Sequence, residues 1–264
     1  MALFGNRRPA GRELELVLAG VGVAAGAAVR GEVATTSAVT VALLRVERSP
    51  AGLFTFAVAT ARVEPQGERA QFELTAPPQL PPPATGRRCE LDYAVRAITD
   101  APRRLRRHGA VPVAMAGGET RIHEQNGRLD RVIAGHAGRH FHLELADAAL
   151  EGGGHLDGRI HVDADTSPAP FTLTARCEES WCTNFRFRPR RSPPLWQTQP
   201  LWEETISVHS EADRRWNPFR FELPSQLPPA VEGRAIAWRY SIEARRPRRG
   251  FADSAIVTPL RFEI

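Results

Sequence analysis

Lysine is absent from this chain of 264 residues, and all 35 basic residues are arginine. Alongside abundant Ala, Gly and Pro, this reads as the codon bias of a GC-rich genome. Cysteine is nearly as scarce. Three residues without regular spacing, Cys89, Cys177 and Cys182, are too few for a disulfide framework, which points to a reducing compartment. Cys177 falls in phase with Phe171, Leu173 and Ala175 and, like Cys89, is expected in a core, whereas Cys182 is expected in a loop. No apolar run approaches the roughly 20 residues that a membrane-spanning helix needs. A sustained helical period of 3.6 is also missing, which leaves an all-β chain. Catalytic signatures are lacking too: there is no Gly-x-Ser-x-Gly elbow, Walker loop, dinucleotide fingerprint or His-Glu-x-x-His. Neither an enzyme nor a cofactor is therefore expected.

Charge excludes little more. A net charge of +5 spread over a chain of this size is a weak field, one that salt screens within about 8 to 10 Å. Arg7 and Arg8 ahead of the apolar stretch 14–29 imitate a signal peptide, but Glu13 and Glu15 interrupt that stretch. It also has a counterpart inside the chain, since adding 127 carries Leu14, Leu16, Leu18, Gly31 and Val33 onto Phe141, Leu143, Leu145, Gly158 and Ile160. A cytoplasmic protein is expected.

What the chain does have is an internal repeat. The stretch FELTAPPQLPPPATGRRCELDYAVRA, residues 72–97, is written again as FELPSQLPPAVEGRAIAWRYSIEA, residues 221–244. Adding 147 carries Leu80, Pro81, Pro82, Gly86, Tyr93 and Ala97 onto Leu227, Pro228, Pro229, Gly233, Tyr240 and Ala244. In each copy a proline run, unable to donate ladder hydrogen bonds, forms a stiff surface connection between two strands. Cys89, Leu91, Tyr93, Val95 and Ala97 alternate with polar neighbours, as do Ile236, Trp238, Tyr240, Ile242 and Ala244, so each set turns to a core. Arg239 should face water.

A strand ending in Phe-x-Leu, a Leu-Pro-Pro run, a Gly, and a strand with a central Tyr and a Tyr-x-Val/Ile-x-Ala ending resemble the arrestin-like fold. That group includes arrestins, the arrestin-like subunit of retromer and bacterial sporulation-control proteins. The resemblance covers most of the chain. It implies two tandem immunoglobulin-like or arrestin-like β-sandwiches in an adaptor or regulator whose partners carry acidic or phosphorylated segments.

Along the chain, strands are expected at 14–18, 29–33, 39–46 and 54–61, with a Gly/Ala-rich joint between the first two and a turn at Ser49, Pro50, Ala51 and Gly52. The strand at 110–115 contains Pro112, matched by Pro259, and is placed at an edge or bulge. The first domain spans 1–116 and an interdomain connection, with room for a short strand or helix, spans 117–137. The second domain spans 138–264, with strands at 141–145, 156–162 and 171–177. The halves then diverge: Arg45 to Phe72 is 27 positions, but Arg176 to Phe221 is 45, an addition of about 18.

That addition reads as a loop carrying Arg190, Arg191, Trp196 and Trp202. Its indoles either present anchors to a partner or fold back over the open end of the sandwich. Arg103, Arg104, Arg106 and Arg107 follow the first Tyr strand, and Arg245, Arg246, Arg248 and Arg249 the second, in equivalent loops. Guanidinium groups suit phosphate or carboxylate, though a solvated loop has the same composition. Without interleaved aromatics, single-stranded nucleic acid is disfavoured. His136, His140, His142 and His161 invite a metal reading, but surface histidines look the same and no metal site is assigned. The function expected is non-enzymatic binding of other proteins through loops and strand edges. The alternative is a peripheral protein holding anionic lipid or nucleic acid on its Arg loops.

Overall fold

The computed structural model describes residues 14–20, 22–102, 106–116, 121–122, 141–145, 154–162, 171–186, 192–208, 216–246, 254–260 and 262–263. Among them there is no helix, and the chain is all-β. Two units emerge from its contacts. The first comprises Met1–Arg48, Gly52–Ala84 and Glu90–Gly118; the second comprises Ser49–Ala51, Thr85–Cys89 and Glu119–Ile264.

In the first half the strands are β1 (Leu16–Leu18), β2 (Gly22–Ala24), β3 (Ala28–Ala34), β4 (Val39–Ser49), β5 (Gly52–Val63), β6 (Arg69–Thr75), β7 (Ala84–Thr85), β8 (Glu90–Thr99) and β9 (His108–Ala116). They form a sheet β1-β3-β6 and a second sheet β2-β9-β8-β4-β5, with β7 on β8. Val29, Val33, Phe72 and Leu74 from the small sheet share one core with Val41, Leu43, Tyr93, Val95 and Ala97 from the large one. Alternation of side chains along each strand delivers one apolar face to that core, and two sheets meeting this way make a sandwich. The Gly/Ala-rich joint contributes β2, paired in parallel with β9. β2 covers β9 only at residues 114–116. Pro112 lies opposite Ala94, upstream of Ala114 where β2 begins to pair, so the missing N–H falls where no β2 residue needs it.

In the second half the strands are β10 (Arg121–Ile122), β11 (Phe141–Leu145), β12 (His155–Val162), β13 (Phe171–Cys182), β14 (Trp196–Val208), β15 (Asn217–Glu222), β16 (Val231–Glu232), β17 (Ile236–Arg246), β18 (Ser254–Leu260) and β19 (Phe262–Glu263). The sheets are β11-β12-β15 and β14-β13-β17-β16, with β18 on β17, plus the pair β10-β19. Leu156, Ile160, Phe219 and Phe221 from the first sheet meet Leu173, Ala175, Cys177, Tyr240, Ile242 and Ala244 from the second. β10 lies within the stretch read as a connection.

The repeat extends to strand register. Leu16 pairs with Val33 and Leu143 with Ile160, at the offset of 127. Tyr93 pairs with Val113 and Tyr240 with Leu260, while Ala94 faces Pro112 and Ser241 faces Pro259, at the offset of 147. Gly31 opposes Phe72 and Gly158 opposes Phe219. The Phe72 ring lies over Gly31 so closely that a Cβ there would stand 2.7 Å from Cζ, which accounts for glycine at that position.

Register also corrects the alignment of the halves. Tyr93 opposes Arg45, but Tyr240 opposes Cys177, so the counterparts are Cys177 rather than Arg176 and Phe219 rather than Phe221. Arg45 to Phe72 is 27 positions and Cys177 to Phe219 is 42, so the addition is 15 residues, not 18. The Phe-Glu-Leu triplets at 72–74 and 221–223 match in letters but sit two residues apart in register.

The proline runs are fastened from within each sandwich. Tyr93 Oη donates to the Pro81 carbonyl at 2.7 Å, and Tyr240 Oη donates to the Pro228 carbonyl at 2.6 Å. Both hydroxyls are buried, so each would be costly without its partner.

Candidate functional site

The two tryptophans expected in a loop stand on β14, which is the edge strand of its sheet and pairs along its length with β13. The loop reading fails because much of the Pro-bearing stretch is sheet: Pro200 lies within β14 itself. Trp202 opposes Cys177 and meets Phe221 edge-on, with ring centroids 6.5 Å apart, so it packs against the core. This favours the fold-back reading for Trp202. Trp196, opposite Cys182, lies on the other face and carries the Arg239 guanidinium 5.2 Å above its ring. Arg239 in turn makes two hydrogen bonds to Glu232, at 2.6 and 2.9 Å. The Arg239 side chain is therefore half-covered and paired, not simply in water as its strand phase implied.

β14 defends part of its edge. A bulge falls between the partners Cys177 and Glu178, where Trp202 and Pro200 pair and Leu201 is skipped. Pro200 has no N–H to offer, and Glu204 stands opposite core-facing Ala175, so its charge points inward. A bulge, a proline and an inward charge are the devices that stop a neighbouring strand from adding to an edge. None of them occurs at residues 196–199, Trp-Gln-Thr-Gln, which carry no charge. Next to them Leu195 is 58% exposed, and Gln197 and Thr198 are exposed.

On the core side of this end lies a feature that the sequence reading missed. Glu179 is fully buried at 0% exposure, yet it is a carboxylate. Its Oε1 accepts from the Cys89 backbone N–H at 2.9 Å and from Trp238 Nε1 at 3.3 Å. Its Oε2 accepts from the Arg88 N–H at 3.0 Å and from Gln199 Nε2 at 2.7 Å. A buried carboxyl group needs donors in place of its water, and here four reach its two oxygens, with the Arg88 N–H also 3.2 Å from Oε1. Residues 86–89 form a turn closed by Gly86 N–H donating to the Cys89 carbonyl at 2.9 Å, and Arg88 lies over Trp181 at 5.8 Å. A Cβ on Gly86 would strike the Glu179 carboxylate and stand 2.6 Å from Trp238 Nε1. Glu47 of β4, opposite Leu91 as Glu179 is opposite Trp238, is also fully buried, with Arg45 Nη2 2.7 Å away. That contact is an ion pair in which Nη2 is not aligned for a hydrogen bond.

Cys89, Cys177 and Cys182 are all buried, and Cys182 ends β13 rather than lying in a loop; its Sγ donates to Asn184 Oδ1 at 3.2 Å. Burial first, opposed by a Tyr240 hydrogen bond, pushes the Cys177 thiol up to about 12, which removes it as a nucleophile near neutral pH. On β8, burial and then the neighbouring Glu90 carboxylate push Asp92 up to about 6, while Arg48 pairs with Glu90 at 2.5 Å. A shallow groove lies above Gly31, lined by Val17, Arg30, Glu73 and their neighbours.

Of the remaining sequence-nominated residues, Arg106 and Arg107 are exposed between β8 and β9, with Arg106 Nε bonded to the Ala101 carbonyl at 3.0 Å. Arg245 and Arg246 end β17. Arg103, Arg104, Arg190, Arg191, Arg248 and Arg249 lie outside the described residues, as do His136 and His140. His142 and His161 are cross-strand partners on β11 and β12. Among the described residues no three of His, Cys, Asp or Glu are grouped to hold a metal ion, and no helix is long and apolar enough to cross a membrane. No protein-family model matches the chain, and no curated protein matches its sequence.

Proposed function

We propose that this chain is a cytoplasmic, non-enzymatic adaptor of two tandem arrestin-like β-sandwiches, which captures an extended segment of a partner protein by strand addition at residues 196–199 of β14. One observation carries the reading: an edge strand guarded from Pro200 to Glu204 by a proline, a bulge and an inward charge is left unguarded at its uncharged first four residues. A segment laid there would gain backbone hydrogen bonds for affinity and would find Leu195 and the Trp196–Arg239 stack for specificity. The arrestin-like resemblance of the repeated Leu-Pro-Pro and Tyr strands supports the same class of function.

The test is to extend the guard. Gln197 is exposed at the edge opposite Trp181, so Gln197→Lys places an inward-facing charge there, as Glu204 does further along. Capture of partner protein should fall at least about tenfold, equivalent to about 1.4 kcal/mol, with the melting temperature nearly unchanged. Thr205→Lys, beyond the bulge, should leave capture intact. Capture that survives Gln197→Lys and collapses as salt is raised would move the function to the Arg loops and anionic partners.

A further inference from the structure

We infer that the turn at residues 86–89 is a clasp, held by the Glu179 carboxylate and released as a unit without unfolding the sheets, and that Gln199 ties its state to the open end of β14. The link to partner binding rests on the function proposed above; the clasp itself does not. Glu179 is the single acceptor for four donors: two backbone N–H groups of the turn, one side chain of β14 and one of β17. Arg88 N–H and Gln199 Nε2 converge on the same oxygen. Any movement of Gln199 at the edge therefore changes what that oxygen offers the turn.

The hold rests on one carboxyl group, whose two oxygens share the Arg88 N–H. Glutamine at position 179 has the shape of glutamate but carries an NH2 in place of one oxygen. Placed toward Cys89 and Trp238, that NH2 meets two N–H donors; placed toward Arg88 and Gln199, it can satisfy Gln199 by an amide flip but still opposes Arg88 N–H. In the first orientation Cys89 N–H loses its acceptor; in the second Arg88 N–H keeps only its 3.2 Å contact to Oε1, shared with Cys89 and Trp238. The Arg87 and Arg88 side chains are already exposed, so a released turn would offer trypsin two cleavable bonds.

Hydrogen exchange of the Arg88 and Cys89 amides and of the Trp238 indole N–H tests this on the full chain without any partner. In the wild type these three should exchange together, faster than the amides of Val95 and Ile242 in the strand centres. Glu179→Ala, which removes the acceptor of both turn amides, should speed them at least tenfold, and cleavage after Arg87 and Arg88 with it, while the strand-centre amides stay as they were. Gln199→Ala should give a smaller rise, of a few fold, at the same two amides. Exchange of the turn in step with the strand centres in the wild type would overturn the clasp, and that comparison stands even if Glu179→Ala does not fold. Unchanged turn amides in Gln199→Ala would overturn the coupling to β14. Loss of capture in Gln197→Lys without change at the turn bears only on the proposed function, so the two readings fail separately.

Discussion

Tyr93 and Tyr240 show how much one hydroxyl organises. Each hydroxyl reaches back twelve residues to a carbonyl of the proline run, an arrangement akin to the tyrosine corner of immunoglobulin-like sandwiches. The tyrosines and prolines were legible in the sequence as repeated letters, and the inward phase of each Tyr strand was legible from its alternation. The bond between them was not, because alternation says which face a side chain takes and nothing about where its far end arrives. Burial above all pushes Tyr93 up to about 12, with Arg45 opposing, and raises Tyr240 further still, again with burial the leading cause. An ultraviolet titration of the folded protein should therefore show no phenolate step near pH 10. The sign for stability follows: both folded-state values lie above the unfolded one, so the contribution is complete below about pH 10 and is lost as pH rises toward 12 and beyond. Tyr93→Phe and Tyr240→Phe should each cost about 1 kcal/mol and should flatten this alkaline loss. A phenolate step at pH 10 in folded protein would show that the hydroxyls are not held as described.

β14 is the element on which sequence and structure part most. Residues 192–194 and Pro200 gave it the composition of a loop, and the bulge at Leu201 hides its period. Gln197 and Gln199 oppose Trp181 and Glu179, and Trp202 opposes Cys177; all three partners lie on one face of β13, yet the step from Gln199 to Trp202 is odd. Alternation cannot survive such a phase change. Most of the added length lies instead between β13 and β14, where Cys182 and Trp196 replace the tight Ser49–Gly52 turn of the first half. Excising 191–202 would consequently remove half a strand, and point substitutions are the informative changes. On β17 the phase was legible, and Trp238 is fully enclosed. Trp238→Ala should cost about 3 to 5 kcal/mol from lost burial, and it also takes a donor from Glu179. Arg239→Ala loses a partly exposed ion pair and a cation–π stack, about 1 kcal/mol together. Equal melting temperatures for the two variants would contradict this assignment of faces.

At the scale of the molecule, the repeat was the strongest signal in the sequence, and it reappears as paired registers: Leu16–Val33 with Leu143–Ile160, and Ala94–Pro112 with Ser241–Pro259. Register is heritable in this way because a slip of one residue would turn every apolar side chain to the wrong face. Glu47 and Glu179 extend the repeat to buried charge, and they were not legible, since a glutamate in a core phase near a strand end looks like the end of the strand. The halves differ chiefly between β13 and β14, and the proposed binding edge begins there. The most direct measurement is photo-crosslinking in the native host from a probe at position 198, with a second probe at position 205 on the same strand beyond the bulge. The account predicts that one partner protein is trapped from position 198, that it is not trapped from 205, and that it is lost from 198 when Gln197→Lys is added. Equal trapping from both positions, or trapping at 198 that Gln197→Lys leaves intact, would contradict it.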